Sequence, residues 1–187
     1  MNRRSLLLLL PVAACAPGAE VIPVVIPTEQ VALPPNSIEG AGDPTRAAVS
    51  RVAEAFSNPG MLIQRPGAAA RAIGDMEYLA AWLPRDPRYS ERGNLLAGRL
   101  QAAKAEWRAA LGIPATQAAQ PIISAMYNAW TATQQGNRQA AAAALPGGEA
   151  MFTRLGALPP LPRTAEAATL AGQVQGIQPA TGSSPRR

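Results

Sequence analysis

The chain has 187 residues, with 17 Lys and Arg against 12 Asp and Glu, no His, one Cys and eight aromatic side chains. That length suits one domain, while the missing His and the lone Cys remove the commonest general base, the commonest metal ligand, an internal disulfide framework and a thiolate cluster. Hydrophobic residues make up 48% of the chain, yet Ala supplies 40 positions, so a modest, Ala-rich core is expected.

Residues 1–14 open with Asn2-Arg3-Arg4, run through Leu6–Leu10 and reach Val12-Ala13-Ala14 before Cys15. A charged start followed by a short apolar run has the layout of a secretory signal. About ten apolar residues rise only about 15 Å as a helix, half of a hydrocarbon core of about 30 Å, so the segment is a poor permanent span. Val12-Ala13-Ala14-Cys15 resembles the lipobox of bacterial lipoproteins, in which an aliphatic and two small residues precede an invariant Cys. The resemblance covers about the first 16 residues, and Pro11 departs from the usual uninterrupted apolar run. It implies cleavage before Cys15, acylation of the Cys15 thiol and of the new amine, and attachment to a membrane through those chains. Two or three acyl chains anchor stably where one is marginal. In a cell with two membranes, Ala16 in place of Asp resembles the pattern of lipoproteins sent to the outer membrane, which implies its periplasmic face.

Cleavage leaves 15 basic and 12 acidic side chains, a net charge of +3. Residues 15–42 carry Pro17, Pro23, Pro27, Pro34 and Pro35, which oppose a helix and favour extended geometry, so this stretch is expected to be a tether. Its apolar portion, Val21–Ile26, has two open readings: it lies at the membrane interface, or it packs on the folded domain.

From Asp43 the pattern becomes helical. Asp43-Pro44 supplies a cap and a first-turn proline, and Ala48, Val52, Ala55 and Phe56 recur at helical spacing up to Asn58-Pro59-Gly60. A second helix is expected after Arg65-Pro66, with Ala69, Ile73, Met76, Ala80 and Leu83 on one face, ending at Pro84. A third follows Asp86-Pro87 and places Tyr89, Leu96, Leu100, Ala103 and Trp107 inward before Gly112. Within it Gly93, Asn94 and Gly98 read as sites of close helix approach. A fourth runs from about Thr116 to Gln134, with Pro121 near its start, a fifth over Arg138–Leu145, and a short one over Glu149–Leu155. Residues 158–187 read as a flexible Pro, Gly and Ser-rich tail with at most a turn at Thr164–Ala171. No segment alternates with period two. The expected fold is all-α, a compact bundle of five to six short antiparallel helices over residues 43–157.

Chemistry is sparse. Asp75 and Glu77 stand two apart on one helix, point to nearly opposite sides, and default to the surface. Lys104 reads as part of a solvated face. The Glu-Ser and Gly-Leu-Met-Gln motifs of lipid-anchored lytic enzymes are not matched, since only Ser90-Glu91 occurs. No phosphate-cradling or calcium loop is present, and no cofactor or metal is expected. Ten basic and seven acidic residues alternate between Asp43 and Gly112, which dilutes any phosphate-tracking stripe and speaks against nucleic acid.

From Ile113 to Pro162 the charges are Arg138, Glu149 and Arg154 alone. The charge-poor helices 113–157 are thus either a docking face for an envelope protein or the inner half of the bundle. The leading reading is a lipid-anchored envelope module that binds or scaffolds, not an enzyme, with Cys15 as its lipidation site and no catalytic residue. A small-ligand or lipid-binding bundle would need a cavity among Met76, Trp82, Trp107, Met126 and Trp130. An enzyme would need a cleft gathering Glu77, Asp86, Glu91 or Glu106 with a raised pKa.

Overall fold

The computed structural model describes residues 29–37, 42–90 and 93–177. The signal segment, Cys15, the tether up to residue 28 and the final ten residues lie outside the described residues.

Among the described residues there are eight α-helices and no strand: α1 (Pro44–Ser57), α2 (Pro66–Trp82), α3 (Pro87–Ser90), α4 (Gly93–Leu111), α5 (Ala119–Gln134), α6 (Arg138–Ala144), α7 (Gly148–Gly156) and α8 (Pro162–Ile177). The fold is all-α. The first helix starts where its cap signature stands, because Asp43 is extended and its Oδ1 accepts the backbone N–H of Thr45 at 2.9 Å.

Helix α2 is the axis of the molecule. Thirteen of its 17 residues are buried, so it is enclosed on all sides instead of burying the single face expected. Its small residues permit this: a Cβ on Gly67 would stand 2.7 Å from Thr133 Cβ on α5, so only glycine allows the two helices to approach so closely there. Helices α1, α4 and α5 all run antiparallel to α2, bringing Thr45 beside Tyr78, Arg108 beside Glu77 and Tyr127 beside Gly74. Trp107, Met76 and Met126 are fully buried. Trp82 is not a core residue: it is 36% exposed and stacks on Tyr78 with ring centroids 6.0 Å apart.

Several expectations need correction. The expected third helix is described as two stretches, a single turn α3 over Pro87–Ser90 and α4 over Gly93–Leu111, with residues 91 and 92 between them outside the described residues. Gly98 meets nothing within 4 Å of a built Cβ, so close approach falls at Gly67 instead.

The largest correction is α8. Residues 162–177 are not a flexible tail but a 16-residue helix packed on α1 and α4. Thr164, Ala167, Ala168, Ala171 and Val174 are buried along one stripe at helical spacing. The stripe is made almost wholly of small side chains, so hydropathy conceals it. Its N-terminus is capped from another helix: Glu106 of α4 accepts Thr164 N at 2.8 Å, Thr164 Oγ1 at 2.7 Å and Arg163 N at 3.2 Å. No local sequence signal records a cap supplied from residue 106.

Candidate functional site

Asp75 and Glu77 do point to opposite sides of α2, but both are fully buried. Asp75 turns toward α1 and α5, where Arg51 Nε and Nη2 each donate at 2.8 Å and the Tyr127 hydroxyl donates to Oδ1. Burial and the neighbouring Asp75 carboxylate hold the Tyr127 phenol well above its ordinary 10.0. Glu77 turns toward α4. Its Oε1 accepts Trp107 Nε1 at 2.8 Å and Arg108 Nε at 2.7 Å, and its Oε2 accepts Arg108 Nη2 at 2.7 Å. Arg108 Nη1 then donates to the carbonyls of Pro114, Ala115 and Gln117, at 3.2, 3.0 and 2.8 Å.

Buried carboxylates this fully satisfied are the default of a structural network. Lys104 is half-buried rather than solvated, with Nζ 3.9 Å from Glu77 Oε2. Burial pushes its amine below the ordinary 10.5, Glu77 opposes the shift and Arg108 adds to it.

Among the described residues, the carboxylates considered for an enzyme do not gather. Glu77 lies inside between α2 and α4, while Glu106 sits at the start of α8. Asp86 holds Arg88, with a contact of 2.7 Å to Nη2. Burial pushes its carboxyl up, but the Arg88 guanidinium more than offsets this, and the net direction is below the ordinary 3.8. Glu91 lies outside the described residues. Likewise, Met76, Trp107 and Met126 sit in packed interior, while Trp82 and Trp130 border separate surface depressions.

The charge-poor helices α5, α6 and α7 turn their apolar residues inward and show Gln, Asn, Thr and Ala to solvent. The large hydrophobic side chains exposed among the described residues are Met61, Ile63, Trp82 and Leu95. Two of these four, Met61 and Ile63, flank the same corner between α1 and α2.

At that corner lies an apolar groove of about 450 Å³, walled by Phe56, Leu62, Ile63, Pro159, Leu161 and Ala165, among others. Gln64 N donates to Gly156 O at 2.9 Å, tying the two loops that form it. Ile63 is 63% exposed on its wall. Leu62 is shared with a neighbouring cleft of about 210 Å³ that also presents Arg51, Arg65, Arg71 and Trp130. There the Arg71 guanidinium rests 4.2 Å above the Trp130 ring centroid. Sequence reading missed the groove because its walls come from loops at 59–63 and 158–162, whose Pro and Leu residues read as linkers.

At the far end of α2, about 25 Å away by helical rise, the tether is fastened. Glu29 Oε2 accepts Ala119 N at 2.8 Å and Oε1 accepts Gln120 N at 3.1 Å, so residue 29 caps α5. Arg85 Nη1 donates to Glu29 O at 3.0 Å. Gln120 exchanges two hydrogen bonds with the backbone of Ala32, and Val31 is buried. Residues 29–37 therefore belong to the domain, which corrects the tether boundary expected at residue 42.

Burial raises the Glu29 carboxyl, but the two backbone N–H groups and the nearby Lys104 and Arg108 outweigh it, leaving it below the ordinary 4.5. A carboxyl lowered by folding contributes stability above its unfolded value and loses it as pH falls through the folded value. Glu29→Gln is expected to cost about 0.5–1 kcal/mol near neutral pH. In urea unfolding, the gap to the parent should close as the pH is taken below the ordinary carboxylate range; a gap independent of pH would contradict the cap.

Compared with known proteins, the chain matches no family model, no curated protein and no solved structure.

Proposed function

We propose that the protein is a lipid-anchored, cell-envelope helical module that works by binding, with Cys15 as its lipidation site and the α1–α2 corner as its working surface. The observation that carries the reading is the polarity of the domain. The tether is fastened at the α5 N-terminus by Glu29, and the apolar groove lies at the opposite end of α2. From Cys15 to Glu29 the chain spans 14 steps, a reach of up to about 43 Å at about 3.1 Å per residue.

A domain attached at that end with such a reach is free to present the groove away from the lipid. In a cell with two membranes, the proposed location is the periplasmic face of the outer membrane. The contact surface for an envelope partner is the groove corner in preference to α5–α7, because Met61 and Ile63 are exposed beside the groove while α5–α7 expose no large hydrophobic side chain.

Cys15→Ser tests the anchor. The variant, expressed in its native host, is expected to take up no labelled fatty acid and to leave the membrane fraction. Acyl label persisting on the variant would overturn the assignment.

A further inference from the structure

We infer that the groove and the arginine cleft beside it bind one anionic amphiphile, its aliphatic chain between Phe56, Leu62 and Leu161 and its charged head at Arg65. This rests on the groove corner being the working surface and is independent of the anchor.

Three observations carry it. First, the groove of about 450 Å³ has no charged side chain in its walls and falls within the size range of small-molecule sites, roughly 300–1,000 Å³. Second, Pro59, Pro159, Pro160 and Pro162 all line it. Proline has no N–H, so these walls are short of the backbone donors that an extended peptide would pair with. A hydrocarbon chain makes no such demand.

Third, the cleft across Leu62 carries unmatched positive charge. Arg51 is matched by Asp75. Arg71 donates to Ser37 O at 3.1 Å, and its buried Nε has no hydrogen-bond partner. Arg65 is exposed and forms no ion pair among the described residues. Three arginines thus face two carboxylates, Glu54 and Asp75, around this cleft. An anionic head beside an apolar slot matches that arrangement.

The test uses the full mature chain, residues 15–187, carrying Cys15→Ser so that it brings no acyl chain of its own. Calorimetric titration with dodecanoate and hexadecanoate below their micellar concentrations is expected to show one-to-one binding, tighter for the longer chain. Hexadecyltrimethylammonium should bind more weakly than hexadecanoate. Arg65→Glu is expected to weaken hexadecanoate binding about tenfold, the scale of one charge-assisted contact. Ile63→Asp should weaken it for every chain length. Both side chains are exposed, so both variants should keep the parent melting temperature.

Absence of saturable binding would overturn the inference, as would binding indifferent to both substitutions. A concentration-dependent dimer abolished by Ile63→Asp would overturn it as well, by showing that a second copy covers the groove. None of these failures bears on acylation of Cys15, which is read separately from fatty-acid label.

Discussion

Replacing Arg108 by Ala is expected to lower stability by about 3–5 kcal/mol, because it leaves the buried Glu77 carboxylate with the Trp107 N–H and only the looser Lys104 ammonium at 3.9 Å in place of a bidentate guanidinium. Glu77 is fully buried and Arg108 is 3% exposed, so neither can turn to water. The same substitution frees the carbonyls of Pro114, Ala115 and Gln117, which Arg108 Nη1 otherwise gathers into the α4–α5 connection. For a chain of this size the melting temperature should fall by on the order of 10 °C.

A control separates lost charge pairing from lost packing. Glu77→Met combined with Arg108→Met removes both charges while keeping apolar volume, and such paired replacements are commonly neutral or stabilising. If Arg108→Ala left thermal unfolding unchanged, the buried network would not be what holds α4 against α2. The single Trp107 Nε1 bond to Glu77 couples a third residue to the pair, so effects of substitutions at 77, 107 and 108 should not add.

Ending the chain at Pro160 is expected to abolish cooperative folding. The cut removes α8 and with it Leu161 and Val174, each contributing about 1.5–3 kcal/mol by burial, and the buried small residues Thr164, Ala167, Ala168 and Ala171. It also uncovers the faces of α1 and α4 on which α8 lies, near Ala53 and Glu106. With both sides counted the loss is on the order of 10 kcal/mol, comparable to the whole stability of a typical domain. Ending the chain at Ile177 instead keeps the whole of α8 with its buried Thr164, Ala167, Ala168, Ala171 and Val174 and is expected to preserve the unfolding transition. Circular dichroism melts of the two truncations decide the matter, and a sharp parent-like transition in the shorter one would return residues 162–177 to the status of a tail.

These two expectations mark where local signals in the sequence are strong and where they fade. Cap-and-proline pairs at Asp43-Pro44 and Asp86-Pro87 begin helices where they stand, because the cap oxygen and the proline φ act within three residues of the start. The stops at Asn58-Pro59 and Gly112 are equally local: Gly112 has φ +72°, and Ile113 N reaches back to Arg108 O at 2.8 Å. Burial of α2 and α8 is different. The α8 stripe is built almost wholly from Ala and Thr, whose small area leaves little hydropathy contrast, and α2 buries Ala and Gly all round its Ile73, Met76 and Leu79, so no single face stands out. Depth there is decided by how closely neighbours approach.

The same distinction governs charge. That Asp75 and Glu77 face opposite ways follows from a helical turn of 3.6 residues, and the structure agrees. That they are buried depends on Arg51 and Arg108, which lie 24 and 31 residues away and become neighbours only when α1 and α4 pack antiparallel to α2. The trans caps by Glu29 and Glu106 follow the same logic, each joining groups dozens of residues apart.

By itself, then, the sequence determined the helical class and most helix boundaries, because caps and prolines act over a few residues, and it alone carries the lipobox-like motif around Cys15. Tertiary structure alone decided which carboxylates are buried, that residues 29–37 and 162–177 join the domain, and that an apolar groove opens at the end of α2 opposite the tether. Each of these depends on contacts between segments far apart in the chain, which no local pattern encodes.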